Sequence, residues 1–432
     1  MSEAVGTNAL QAAPLRGGAP AYVGTTIWAM LTVYLLVDAI SGAFLSQTGG
    51  VAPLSQVWKA GLLLLLLYWS SLISSSLTAA LIALIAVILI GPLMRVMVTG
   101  RTQLLLADAT SAVKTLLPAL VLLFCCAQRL IDEATFRKWA HRVLWFGMAV
   151  VLLNIGVGLA GFGYTAYGTA ATGGIGIIGF FYAGNEVGAT YVVLSAFVLL
   201  QTWLTARHWY LVVGAALVGV ALLITTKSAV VGSLALAFGI PIATLRGRLY
   251  RLGWKAAVLY GLALAVLVWA ALEVWTILEV TGLAARIASV LAERGWVGVL
   301  FSGRELYVAQ SMQGIWQEES IWQAIFGPGP SRISIWSGKP STETDPLDLY
   351  FWFGVPGFLY CILLYACFIF LPWRALKERS NAHAPGVLLA NILLVALSIV
   401  GGHVVLSGMV GMVWAVLTSL SLGASREPTT AR

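Results

Sequence analysis

The chain concentrates its ionisable chemistry in one stretch. Nine of its 17 acids fall between residues 273 and 348: Glu273, Glu279, Glu293, Glu305, Glu318, Glu319, Glu343, Asp345 and Asp348. Five bases accompany them: Arg286, Arg294, Arg304, Arg332 and Lys339. A carboxylate held near a hydroxyl can take its proton. Fixed guanidinium and ammonium groups stabilise negative charge, above all on phosphate oxygens. Four more ionisable residues, Asp38, Lys59, Asp108 and Lys114, lie inside apolar runs. Such a group at mid-bilayer costs ~2.5–3.5 kcal/mol on insertion scales, so it pairs inside a bundle or lines a wet cavity. Asp108 and Lys114 are six apart and miss each other on one helix face, whereas Asp38 and Lys59 are a candidate cross-helix pair.

The elements that must position these groups are membrane helices. Of 432 residues, 60% are hydrophobic and only 10% charged, with mean hydropathy +0.92. Soluble domains carry roughly 25% charged residues. So few charges cannot cover a water-facing surface, which argues against soluble catalytic domains, disordered scaffolds and nucleic-acid binders. A span needs ~20 mostly apolar residues. Twelve are predicted, at 23–46, 54–71, 75–97, 103–127, 140–161, 186–206, 208–225, 229–245, 253–274, 347–372, 384–402 and 403–422. The expected class is an all-α polytopic membrane protein. A polar N-terminal tail (1–22) leads into nine spans (23–274), a loop with amphipathic helices (275–346), three more spans (347–422) and a short tail (423–432). Cys125, Cys126, Cys361 and Cys367 sit in apolar runs and are expected to be buried thiols.

Basic loops orient the bundle. Arg129, Arg137, Lys138 and Arg142 share one connection, Arg207 marks a second, Arg246, Arg248, Arg251 and Lys255 share a third, and Arg374, Lys377 and Arg379 a fourth. With twelve spans all four fall on one side, the expected cytoplasmic side, with both termini. Arg95, Arg101, Lys227 and the 275–346 loop then lie outside. Long translocated loops ignore the charge bias, but cations placed against it also fit an anionic ligand. Much of the +8 net charge is topology signal. In the loop, Leu283–Leu291 and Glu305–Trp316 have helical apolar spacing, and Phe326-Gly327-Pro328-Gly329-Pro330 reads as a turn. Trp296, Trp316, Trp322 and Trp336 suit a membrane interface.

Four segments give this pattern a resemblance. Gly179-Phe180-Phe181-Tyr182-Ala183-Gly184-Asn185-Glu186 resembles a "G-F-x-x-x-N-E" stretch ahead of a span. Leu222-Leu223-Ile224-Thr225-Thr226-Lys227-Ser228-Ala229 is similar to a "T-x-S-R-(S/T)" turn, with Lys227 where Arg is usual. Phe301-Ser302-Gly303-Arg304-Glu305 is similar to an "S-G-R" helix opening. Glu343-Thr344-Asp345-Pro346-Leu347-Asp348-Leu349-Tyr350, followed by Gly354-Val355-Pro356-Gly357, looks like a loop-to-helix junction. Together, over about 175–372, they resemble the O-antigen polymerase and O-antigen ligase family of bacterial membrane glycosyltransferases.

The resemblance implies a GT-C-like, metal-independent transferase without cofactor, working on the periplasmic face of the inner membrane. It implies undecaprenyl-pyrophosphate-linked glycan as donor and acceptor, with a chain-length regulator and a flippase as expected partners. Arg304 is the first candidate to stabilise the pyrophosphate, followed by Lys227, Arg332 and Arg101. Asp345 is the first candidate base for the acceptor hydroxyl, with Glu343 and Asp348 behind it, although Asp348 also suits a helix start. Asn185 and Glu186 are candidates to orient sugar hydroxyls, or simply to begin a helix. The ligase branch carries a His in the outer loop where this chain has Glu343 and Asp345. Of His141, His208, His383 and His403, only His403 is expected outside, so a repeat-unit polymerase is favoured over a ligase. A lysine at 227 acts as a point charge and gives up the two-point grip of Arg on phosphate. A transporter without bond chemistry is the alternative of another class. It typically shows internal repeats, and none stands out here.

Overall fold

The computed structural model describes residues 18–48, 53–100, 102–167, 174–245, 283–301, 303–317, 321–378 and 381–422. In chain order the helices are α1 (Ala19–Thr48), α2 (Leu54–Ile73), α3 (Ser75–Thr99), α4 (Gln103–Ile131) and α5 (Glu133–Leu159). After two short strands, β1 (Tyr164–Tyr167) and β2 (Ile175–Gly179), come α6 (Gly184–Thr205), α7 (Tyr210–Ile224) and α8 (Lys227–Thr244). The loop region holds α9 (Leu283–Phe301), α10 (Arg304–Gln317), α11 (Ile321–Phe326) and α12 (Pro330–Ser337). Helices α13 (Asp345–Glu378), α14 (Ala384–Gly401) and α15 (Val410–Ser419) close the chain.

Among the described residues ten helices are long and apolar enough to cross a membrane, α1 to α8 with α13 and α14, and they make this a multi-pass membrane protein. Large apolar side chains such as Leu64, Leu106, Leu153 and Leu363 lie exposed on their outer faces, as lipid solvation allows. At the centre stands α6, apolar all round and buried on every face from Val187 to Leu200. The expected span at 253–274 lies outside the described residues. Helices α9 and α10 form where the apolar spacing predicts; α11 and α12 are short helices the sequence did not predict, and Gly327 and Gly329 turn the chain between them at positive φ. Cys125 and Cys361 are buried as expected. Cys126 is only half-buried and Cys367 is exposed, because one side of each span faces outward.

The last crossing corrects the expectation of a continuous helix at 403–422. Only Val410–Ser419 is helical, about 15 Å at 1.5 Å per residue, half of a ~30 Å hydrocarbon core. The chain nevertheless returns along the length of α14. At one end Gly402 packs on the backbone of Glu343. At the other, Asn381 Nδ2 donates to the carbonyls of Leu420 and Leu422 at 2.7 and 2.5 Å. Residues 402–409 make up the difference as irregular backbone, which membranes tolerate only where protein buries it. This segment is almost wholly buried, and side chains elsewhere satisfy its amides. Asp345 accepts from the backbone N–H groups of His403, Val404 and Val405 at 2.6, 2.9 and 2.8 Å. Ser407 Oγ accepts from Met409 and Val410, and the Tyr34 hydroxyl donates to the Met409 carbonyl at 2.6 Å.

Two further departures shape the Glu343 end of the bundle. Strands β1 and β2 pair antiparallel where the sequence predicted no element. Asn154 of α5 holds β2, donating from Nδ2 to the Ile178 carbonyl at 2.6 Å and accepting from Phe180 N–H at 2.8 Å. Helix α13 also breaks at Gly354 (φ 69°, ψ −154°), where a Cβ would strike the Ile325 carbonyl.

Candidate functional site

The acids of the Glu343 to Asp348 junction divide into two jobs. Asp348 is buried and accepts from Ser341 Oγ at 2.6 Å, Thr342 N–H at 2.6 Å, Thr342 Oγ1 at 2.8 Å and Thr344 N–H at 3.2 Å. It therefore builds the tight 341–344 turn. Asp345 is fully buried, and besides the three amides of the last crossing it accepts from Ser398 Oγ. Both carboxylates are filled by structural donors and neither reaches an open face, which removes the geometric ground for Asp345 as first-choice base. Glu343, carried on the turn that Asp348 builds, is the member of the three that faces out.

Arg304 meets it. The guanidinium, at the start of α10, donates from Nη2 and Nε to Glu343 Oε2 at 2.8 and 3.1 Å. Lys339 Nζ donates to Glu343 Oε1 at 3.0 Å. Side-chain exposures of 14% for Arg304 and 22% for Glu343 place the pair at a partly open surface. Burial pushes the Glu343 carboxyl up. The Lys339 hydrogen bond and the charges of Arg304, Lys339 and His403 outweigh it, so its pKa lies below the ordinary carboxylate value. Lys227, first residue of α8, is within electrostatic range of Arg304. Tyr167, at the end of β1, feels both Arg304 and Glu343, and burial, the larger effect, raises its pKa.

Backbone strain marks the same place. Among the described residues three non-glycine positions have positive φ: Thr225 (63°), Glu343 (62°) and His403 (58°). Each costs of order 1–3 kcal/mol and persists only where its surroundings enforce it. The enforcing groups are visible. Asp348 fixes the turn under Glu343, and Asp345 fixes the strand carrying His403. Strand β2 lies on Thr225, where a Cβ on Gly176 would come within 3.1 Å. Sequence reasoning set His403 apart in a different turn, and the broken last crossing returns it to Glu343. Its contact is signalled in the sequence only by the Gly401-Gly402 pair before it.

Other candidates lie elsewhere. Arg332 is exposed on α12, its guanidinium 5.9 Å from the Trp336 ring centroid. Asn185 sits half-buried in the first turn of α6. Glu186 accepts from Ser407 Oγ at 2.6 Å and lines a separate cavity. Arg101 lies outside the described residues. Arg95, expected among cations serving an anionic ligand, instead pairs with Asp108 at 2.8 Å and donates to the carbonyls of Gly327 and Trp352 at 2.8 and 3.1 Å. It pins the α11 turn to α3. Asp38 and Lys59 pair at 2.8 Å, as expected. At the opposite end a larger cavity, about 310 Å³, is lined by Arg129, Glu133, Arg374 and Glu378, which already pair with one another. Among the described residues no three His, Cys, Asp or Glu side chains converge as a metal cage.

No family model matches this chain, and no curated protein does.

Proposed function

We propose that the chain is a membrane glycosyltransferase of the O-antigen polymerase type, GT-C-like in build, joining undecaprenyl-pyrophosphate-linked repeat units on the periplasmic face of the inner membrane. One observation carries the reading: Arg304 pairs at a partly open surface with Glu343, which sits on strained backbone, and Lys227, Lys339 and His403 lie around them. The cations outnumber the acid, so the cluster suits an incoming polyanion. In the transfer, an acceptor hydroxyl oxygen attacks the anomeric carbon of the donor and the bond from that carbon to the pyrophosphate oxygen breaks. The hydroxyl proton passes to Glu343, which its depressed pKa keeps ionised at neutral pH. The pyrophosphate leaves with the bonding electrons, against Arg304 and Lys227.

A ligase transferring finished glycan to another acceptor is the second reading, and the approach of His403 to Glu343 favours it. A deletion strain complemented with Arg304→Ala or Glu343→Gln distinguishes them. Loss of polymerisation leaves single repeat units on the acceptor and no long chains. Loss of ligation leaves long glycan on the lipid carrier. Unchanged glycan in both strains, with the variants present in the membrane, would sink the assignment.

A further inference from the structure

A second polar site lies within the membrane-spanning bundle. A cavity of about 200 Å³ opens among α1, α2, α4 and α6. Its charged lining is Asp38, Lys59, Lys114 and Glu186, with Ser41 and Gln56 beside them. Counted along each helix at 1.5 Å per residue, Asp38, Lys59 and Lys114 stand roughly 7–17 Å inward from the Glu343-side helix ends.

Two of the four charges satisfy each other. Lys59 Nζ donates to both Asp38 oxygens at 2.8 and 2.9 Å and to Ser55 Oγ at 2.9 Å, which uses its three protons. The other two are incomplete. Lys114 has no hydrogen bond or ion pair among the described residues. Glu186 accepts from Ser407 on Oε2, and no described donor reaches Oε1. An intramembrane ammonium without an acceptor is costly. A ligand that completes this cavity must bring a negative group to Lys114 and a positive or donor group to Glu186. It must also be close to neutral overall, because the four lining charges cancel.

The rim identifies the source. Leu45 of α1 lines the cavity with Ser41 and Gly42, and its neighbour Phe44 is an exposed apolar side chain. At about 200 Å³ the cavity is smaller than the ~300–1,000 Å³ usual for drug-sized ligands, a size suited to a headgroup whose chains stay outside. We infer that it holds the headgroup of a zwitterionic, phosphoethanolamine-type phospholipid, its phosphate on Lys114 Nζ and its ammonium on Glu186, with the acyl chains against Leu45 and Phe44. The inference stands whether or not the chain transfers sugars.

Native mass spectrometry of the full-length protein, released from detergent with defined lipids, tests this. One phosphatidylethanolamine should be retained at least about tenfold over phosphatidylglycerol, the scale of one charge-assisted hydrogen bond. Lys114→Gln and Glu186→Gln should each reduce that retention about tenfold, while Lys114→Arg should keep it. Equal retention of the two lipids, a preference for phosphatidylglycerol, or undiminished retention in Lys114→Gln would overturn the proposal. The lipid comparison on the unsubstituted protein decides even if a variant fails to fold. Displacement of the lipid by millimolar free O-phosphoethanolamine would assign the same chemistry to a soluble ligand and overturn the lipid source.

Discussion

Arg95–Asp108 and Arg304–Glu343 are two arginine–carboxylate pairs with the same 2.8 Å contact and opposite surroundings. Arg95 spends its donors on Asp108 and two backbone carbonyls, and Asp108 is 2% exposed. Its backbone is ordinary helix. Arg304 and Glu343 keep a partly open edge and share their space with further cations, and Glu343 rests on strained backbone. Pairing is therefore a poor guide to purpose in this membrane protein. What separates a clamp from a candidate reaction centre is whether the pair is complete without a ligand, and whether the chain bears strain to present it.

Substitutions break or sharpen that contrast. The largest effect is expected at the clamp. Asp108→Ala leaves a buried guanidinium short of its acceptor and should cost about 3–5 kcal/mol, read as a fall in the melting temperature of the detergent-solubilised protein. Replacing both partners, as in Arg95→Leu with Asp108→Leu, should recover most of it. Arg304→Ala should lower glycan transfer about 10²–10³-fold while costing no more than ~1 kcal/mol of stability. A stability loss matching that of Asp108→Ala would erase the distinction.

Acid adds a third probe. Burial, then the charges of His141 and Arg137, push His383 down to about 4. Its native pKa lies below the unfolded value, so its contribution to stability is full above pH 6.5 and is lost as pH falls through about 4. The expected loss is up to ~3 kcal/mol, and His383→Gln should flatten the curve. Glu343 is also depressed, but from 4.5, so its contribution fades only below that pH. Melting curves across pH 7 to 4.5 therefore report His383 while Arg304–Glu343 is still intact. The smallest effect is expected for Arg137→Ala. Its i,i+4 pair with Glu133 is half exposed on Arg137 and should contribute about 0.3–0.5 kcal/mol, within a degree or two of melting temperature.

Ten of the apolar spans, helices α9 and α10 and the Asp38–Lys59 pair were legible in the sequence because apolar run length and the cost of lone intramembrane charge leave few alternatives. The division of labour among Glu343, Asp345 and Asp348 was not. All three are acids within six residues, and which ones are buried depends on residues 341–344, 398 and 403–405, which reach them only through the fold. The strand pair escaped notice because four and five residues of Tyr, Thr, Ile and Gly make too short a pattern to register. The broken last crossing was hidden for a different reason. Hydropathy measures what a segment is solvated by and is indifferent to whether its backbone is helical. Gly402 and Gly408 at either end of the irregular stretch are the cue in the residues themselves.

That irregular stretch has a consequence for how the protein is made. A helix completes its hydrogen bonds from its own residues and can settle into lipid as an independent unit. Residues 402–409 hand three consecutive amides to one carboxylate on α13, anchor Ser407 to Glu186 on α6, and lay Gly408 so close to Lys59 on α2 that a Cβ there would come within 3.0 Å of Nζ. The native path of the last crossing exists only once those three helices are assembled. Residues 402–422 thus take their path as a client of the bundle and fill the space that the helices around them leave open.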